Sequence, residues 1–381
     1  MNQPAPVQII DVSGFARAPF EPIVEAFTRA VAAQGGGGAA LAIRHDGELV
    51  VDLVAGDYRV DSLQLLYSVS KAVTATAAAM LAEAGELDLD APLAQWWPEM
   101  AKSSTSSITP RMVLSHTSGL ASLDRELTYA QLLAHEDDEA IGAQEPYWEP
   151  GTALGYHAFT FGTVMNGLFR RALGTSVGEV VEQRIARPHG LDLWIGTPDS
   201  VFDRIERISS GPRAVSASRA AFGAASDIPP SSTARLDPAL DIYNRTSTYA
   251  AEMPSLTAVG DARSLAAFFA ATLDGTLLSE SARDEMVRPR AIGPDLVLGM
   301  PMHYGSGMQL PFPQLPLLGP RSYGHEGAGG SVAFADAEFD LSVAWTTDVY
   351  PSMAGASPAF IALLPTIRHC LTTDTRGEPK R

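Results

Sequence analysis

Tyr67-Ser68-Val69-Ser70-Lys71-Ala72-Val73-Thr74-Ala75-Thr76-Ala77-Ala78-Ala79-Met80-Leu81 decides how this chain is read. The run is helix-like and ends at Gly85, and it sets Ser68 and Lys71 three residues apart, where side chains on one helical face meet. A serine hydroxyl is a poor nucleophile at neutral pH and needs a base within hydrogen-bond reach. A lysine serves if its surroundings lower its pKa. The chain holds only three lysines, and Lys102 and Lys380 stand in a polar stretch and in the C-terminal tail. Lys71 instead opens an uncharged, alanine-rich segment, where arginine, which keeps its proton, would be useless as a base. The bare S-x-x-K pattern is common, and an accidental pair on a core helix is the competing reading.

Outward from this run, the totals narrow the classes. A chain of 381 residues with 46% hydrophobic and 19% charged residues is globular, with room for two structural units sharing one fold. A net charge of -17 argues against nucleic acid as partner. The single cysteine, Cys370, forbids an intrachain disulfide and reads as a buried small hydrophobe. No Cys/His spacing suits zinc, and no other cofactor is implied. Residues Met1 to Val7 lack a basic segment followed by an apolar one, so a cytoplasmic protein is expected. No apolar stretch reaches the ~20 residues that span a bilayer, so no membrane partner is expected.

An amphipathic helix is expected around Pro19 to Ala33, followed by strands on either side of an Asp46-Gly47 hairpin turn. From Ser68 to about Gly260 the pattern is mostly helical, including Phe161 to Leu173 and Val177 to Ile185. Residues Gly211 to Asp241, rich in Ala, Ser and Pro, read as a long loop. A helix over Asp261 to Leu273 then precedes strand-like runs at Ser322 to Glu326, Gly330 to Ala335 and Leu341 to Thr347, spaced as an antiparallel meander. The runs near the two ends are expected to build one sheet around a helical insertion. The division expected is a sheet-containing part, 1–67 with 250–381, and a mostly helical part, 68–249.

Three further constellations bear on chemistry. Gly174-Thr175-Ser176-Val177-Gly178 matches the G-x-S-x-G elbow of lipases, but a helix-like run precedes it and Ser176 with Glu179 forms a capping box, so a structural role is expected. Tyr156, in the turn-rich stretch Trp148 to Ala158, is a candidate proton relay whose pKa a nearby lysine ammonium would lower. Tyr323-Gly324-His325-Glu326-Gly327-Ala328-Gly329-Gly330 sets a histidine and glycines at a strand end, where backbone N–H groups, with that of Ser68, can form an oxyanion hole.

Together these pieces resemble the serine β-lactamase and penicillin-binding protein superfamily, above all its family VIII carboxylesterase branch, similar to class C β-lactamases. Further matching segments are Gly85 to Pro92, Leu114-Ser115-His116-Thr117-Ser118-Gly119-Leu120, Pro150-Gly151-Thr152 and Asp261 to Leu265. The resemblance implies a class C β-lactamase-like α/β (α+β) fold, an antiparallel sheet flanked by helices plus a mostly helical domain, with the site at their junction. It makes Ser68 the acylated nucleophile, Lys71 and Tyr156 its base, and the N–H groups of Ser68 and Ala328 the oxyanion donors. His325-Glu326-Gly327 falls where the family has K-T-G, so His325 and Gly327 would border the substrate. Two departures, Ala158 where β-lactamases often carry Asn and His325-Glu326 for Lys-Thr, remove groups that would bind a β-lactam, and Glu326 would repel its carboxylate. Hydrolysis of a small ester, short in its acyl part, is therefore expected. The alternatives are a β-lactamase, D-amino-acid peptidase or acyltransferase of the same fold, or a non-catalytic binding homologue. In the resemblance, the Leu114 to Leu120 segment stabilises the helical part, with His116 bonded within its own turn.

Overall fold

The structure is a computed structural model that describes residues 10–210, 241–351 and 355–373. Asp46 and Gly47 both have positive φ (49° and 76°), as a two-residue type I′ turn requires, and they join β2 (Ala39–His45) to β3 (Glu48–Ala55). β1 (Val12–Ala16) pairs with the outer edge of β3, and β12 (Leu341–Thr347) pairs with the inner edge of β2. β11 (Val332–Asp336) and β10 (Ser322–Glu326) continue the sheet, giving a six-stranded antiparallel order β1-β3-β2-β12-β11-β10. Both chain ends thus meet in one sheet, and the closing contact runs from Ala39 to Thr347.

The two faces of this sheet differ in side-chain size, as a period of two allows. Leu41, Ile43, Leu341, Val343, Trp345 and Phe334 pack against helix α1 (Pro22–Gln34) and the C-terminal helix Leu364–Thr373, where Cys370 is buried as expected. The opposite face carries Ala42, Ala333, Ala335 and Ala344, which lets the helix Ala262–Leu273 lie close to the strands. Ser342 Oγ donates to Ala266 O at 2.7 Å across that contact, and Asp261 caps the helix through the Ser264 N–H.

Helix α2 (Val69–Glu83) runs through the core shared by the sheet and the helical part. Its alanines leave room for Leu265, Phe268 and Met286 on one side and Val164, Leu168 and Val180 on the other. The buried polar side chains that α2 does carry, Ser70, Lys71, Thr74 and Thr76, are each hydrogen-bonded, since an unpaired buried polar group costs about 1–3 kcal/mol.

Several short strands have no counterpart in the sequence reading. β4 (Gln64–Leu65), β5 (Leu193–Ile195) and β7 (Ala258–Gly260) form a three-stranded sheet that stitches the start of α2 to the segment before the helix Ala262–Leu273. β8 (Ala291–Pro294) and β9 (Pro301–Tyr304) form a hairpin. Two- and three-residue strands are too short to show a period. The loop expected over Gly211 to Asp241 falls outside the described residues save Asp241, which opens a 3-10 turn. Among the described residues no helix is long and apolar enough to cross a membrane.

Candidate active site

From Ser62 to Ala79 every residue is buried except Ser68, which is half-buried. Ser68 occupies the N-cap position of α2, yet its hydroxyl caps nothing. Its Oγ instead accepts the Tyr156 hydroxyl at 2.7 Å and stands 3.2 Å from Lys71 Nζ. The residue before it, Tyr67, is held at φ 49°, a strained conformation for a non-glycine residue that turns the chain sharply into the helix. Ser70 secures that turn, because its hydroxyl donates to Tyr67 O and accepts the Ala258 N–H at 2.9 Å.

Lys71 is fully buried, and among the described residues no carboxylate pairs with it. Its Nζ contacts Ala158 O at 2.9 Å and Ser255 O at 3.0 Å, and lies over the Tyr156 ring at 4.8 Å. Burial pushes its pKa well below the ordinary lysine value, toward a neutral amine. Tyr156 shifts the opposite way from the sequence expectation. Enclosure raises its pKa, the nearby carboxylates of Glu326 and Asp295 raise it further, and only the bond with Ser68 lowers it. The expected lowering needed a lysine ammonium, and the buried amine does not favour that form. The Tyr156 hydroxyl thus keeps its proton and donates it in the bond to Ser68, while burial disfavours the charged form of Lys71.

The glycine turn after β10 packs directly on the chain entering α2. A Cβ on Gly327 would lie 2.3 Å from Leu66 O, and one on Gly329 would lie 2.4 Å from the Tyr67 ring, so only glycine permits this approach. Ala328 stands between them. Among the described residues the N–H groups of Ser68 and Ala328 donate to no other protein group, as an oxyanion hole requires of its donors before substrate arrives. His325 is 3% exposed, and its Nδ1 is bonded to Glu326 O at 2.7 Å. Burial and the neighbouring Lys71 bring its pKa down to about 3, so it stays neutral. The Glu326 carboxylate accepts the Ala356 N–H at 2.7 Å, so its first task here is to brace that loop rather than to confront a substrate.

The sequence reading missed what holds Tyr156 and Ala158 in place. His157, between them, is fully buried, with Nε2 2.7 Å from Ser118 Oγ, Nδ1 2.6 Å from Gly155 O, and its N–H donated to His116 Nδ1 at 3.1 Å. His116 is thus bonded to a segment forty-one residues away rather than within its turn. Its ring lies against those of Tyr156, Phe161 and Tyr304. Burial holds His157 at a pKa of about 4, so the lock stays uncharged at neutral pH. Asp295 accepts the Tyr156 N–H at 3.1 Å from the other side. Ser118→Ala leaves His157 Nε2 without a partner and is expected to cut kcat about tenfold while KM changes little, with Ser118→Thr restoring the rate, as steady-state kinetics on a chromogenic ester would show.

Other residues singled out from the sequence lie elsewhere. Ser176 caps its helix, with its Oγ accepting the Glu179 N–H at 3.1 Å and donating to Glu252 at 2.9 Å, in the reciprocal box expected. Trp97 is core, stacked by Arg171. Trp148 covers Gly155 and donates to Thr117 O at 3.2 Å. Among the described residues no group of three or more His, Cys, Asp or Glu is placed to hold a metal ion.

With this geometry in hand, the likeness to known proteins is informative. The family model described as "Beta-lactamase" matches residues 23–364. "Esterase/beta-lactamase LipL" of Mycobacterium tuberculosis is 30% identical over 371 residues, covering 87% of this chain and 82% of that protein. Among solved structures, a family VIII carboxylesterase superposes with a TM-score of 0.85 at 28% identity, over 94% of this chain and 100% of the other. A penicillin-binding protein homologue from Caulobacter crescentus gives 0.84 at 29% identity, with the same coverages.

Proposed function

The chain belongs to the beta-lactamase family and has its class C-like fold, and from that premise we propose a serine ester hydrolase working through a covalent acyl-enzyme on Ser68. One observation carries the assignment: a single half-buried hydroxyl is met by a buried amine from the first turn of its own helix and by a phenol from a segment distant in sequence.

In the first half of the reaction, the Ser68 proton moves to the Lys71 amine as Oγ bonds to the ester carbonyl carbon. The carbonyl oxygen takes up charge against the N–H groups of Ser68 and Ala328, at the positive end of α2. Breaking the bond to the leaving oxygen requires a proton there, which the Tyr156 hydroxyl supplies and recovers from Lys71. Water then adds to the acyl-enzyme, giving its proton back through the same pair, and the carboxylic acid departs. Gly327 and the buried His325 shape the wall beside Ala328. The replacement of the K-T-G lysine by a neutral histidine leaves no cation there for a substrate carboxylate, so uncharged esters of short acyl chain are the substrates proposed. We place this chemistry in the cytoplasm.

The test is covalent. A fluorophosphonate is expected to add once per chain, and peptide mass spectrometry is expected to find it on Ser68 and not on Ser176. Labelling at Ser176, or no labelling of active protein, would move the nucleophile away from Ser68.

A further inference from the structure

The Lys71 amine sits at the end of a flexible four-carbon stem, and among the described residues no carboxylate pairs with it. What orients it are two backbone carbonyls from separate segments, Ala158 O and Ser255 O. A neutral amine has two N–H bonds and one lone pair. Two fixed acceptors occupy the N–H bonds, and the lone pair is left for Ser68 Oγ at 3.2 Å. If either acceptor drifts, the amine rotates and presents an N–H to the serine instead.

The two carbonyls are joined by a side chain. Ser255, 1% exposed, donates its hydroxyl to Phe159 O at 3.1 Å, and Phe159 follows Ala158 directly. The residue is pinned on two more sides. Thr74, one turn beyond Lys71 on α2, donates to Pro254 O at 2.9 Å. On the helix Thr160–Leu173, a Cβ at Gly162 would fall 2.6 Å from Ser255 N and 2.8 Å from its Oγ, so the helix backbone presses against this residue.

Granting Lys71 as the base proposed above, we infer that Ser255 is a positioning residue for it: its hydroxyl ties the two carbonyls into one clamp that aims the amine's lone pair at Ser68. Ser255 touches neither substrate nor the reacting bond. Its effect reaches the reaction through Lys71.

The experiment compares wild type, Ser255→Ala, Gly162→Ala and Gly167→Ala on p-nitrophenyl butyrate across pH, at equal folded concentration. Ser255→Ala is expected to lower kcat about tenfold or more with KM within about twofold. It should also move the acid limb of the rate profile to higher pH, because a loosened clamp admits water and relieves the burial that keeps the amine neutral. Gly162→Ala pushes on the same residue from outside and should reproduce both changes, which keeps the test alive if Ser255→Ala fails to fold. Gly167→Ala crowds Trp97 from the same helix, at 2.5 Å, and should cost stability while leaving the acid limb where it was. An unmoved acid limb in Ser255→Ala and Gly162→Ala overturns the inference, since the hydroxyl then only packs. A Ser68→Ala enzyme that still turns over would instead remove the assignment of the base itself, and the clamp with it.

Discussion

Ser68→Ala is expected to lower kcat/KM for p-nitrophenyl butyrate by at least about 10³-fold and to abolish fluorophosphonate labelling, with the melting temperature close to that of wild type. The size of the loss follows from the geometry. Lys71 and Tyr156 both converge on this one oxygen, and among the described residues neither is bonded to another side-chain hydroxyl, so removing Oγ leaves base and acid with nothing to serve. Stability should hardly move, because the hydroxyl caps no helix end and the residue is the one half-buried point of an otherwise buried run, where water can reach the Tyr156 hydroxyl. Ester turnover surviving in the mutant would sink the acyl-enzyme reading.

Lys71→Arg is expected to be nearly as damaging, about 10³-fold or more, and not to recover at alkaline pH. A guanidinium keeps its charge throughout the accessible range, so it cannot accept the serine proton. Burying that charge without a carboxylate also carries a stability cost, and Lys71→Met, similar in length and uncharged, is the control that retains packing. In the wild type the sign is fixed by burial. Lys71 is displaced well below its usual 10.5, so activity is present above the displaced value and falls as pH drops through it. Tyr156 is displaced upward and stays protonated, so its ionisation should impose no alkaline limb at ordinary pH. A pH–rate profile of kcat/KM checks both statements at once.

Much of the fold is legible in the sequence because its large elements carry strong local signals. The meander at Ser322 to Thr347 is written in alternating side chains and turn glycines, and the Asp46-Gly47 hairpin in two residues that tolerate positive φ. Edge strand β1 is less legible, since Gly14 at φ 111°, forced by its contact with Asp52 O, breaks the pattern in a five-residue segment. At the site, Ser68 and Lys71 stand out through spacing and lysine scarcity and Tyr156 as a candidate in a turn-rich stretch, while its pairing with Ser68 and the choice of Ala328 rested on the family resemblance. Ser255 gave no signal at all. Its contribution is a backbone carbonyl and a hydroxyl among the chain's many serines, and such roles are set by tertiary approach rather than by residue type. The direction of the Tyr156 shift was likewise illegible, because it is set first by the enclosure of its own hydroxyl and then by the Glu326 and Asp295 carboxylates that the fold brings near.

The pairing of β2 with β12 has a consequence for the order of events during synthesis. A ribosome delivers Ala39–His45 long before Leu341–Thr347, so the middle of the sheet cannot close until everything between them has emerged. Until then the alanine face meant for the helix Ala262–Leu273 is incomplete, because Ala344 has not joined Ala42. Ala328, the second oxyanion donor proposed, belongs to the same later stretch, so a chain halted before it should carry Ser68 without the means to hydrolyse the esters around it.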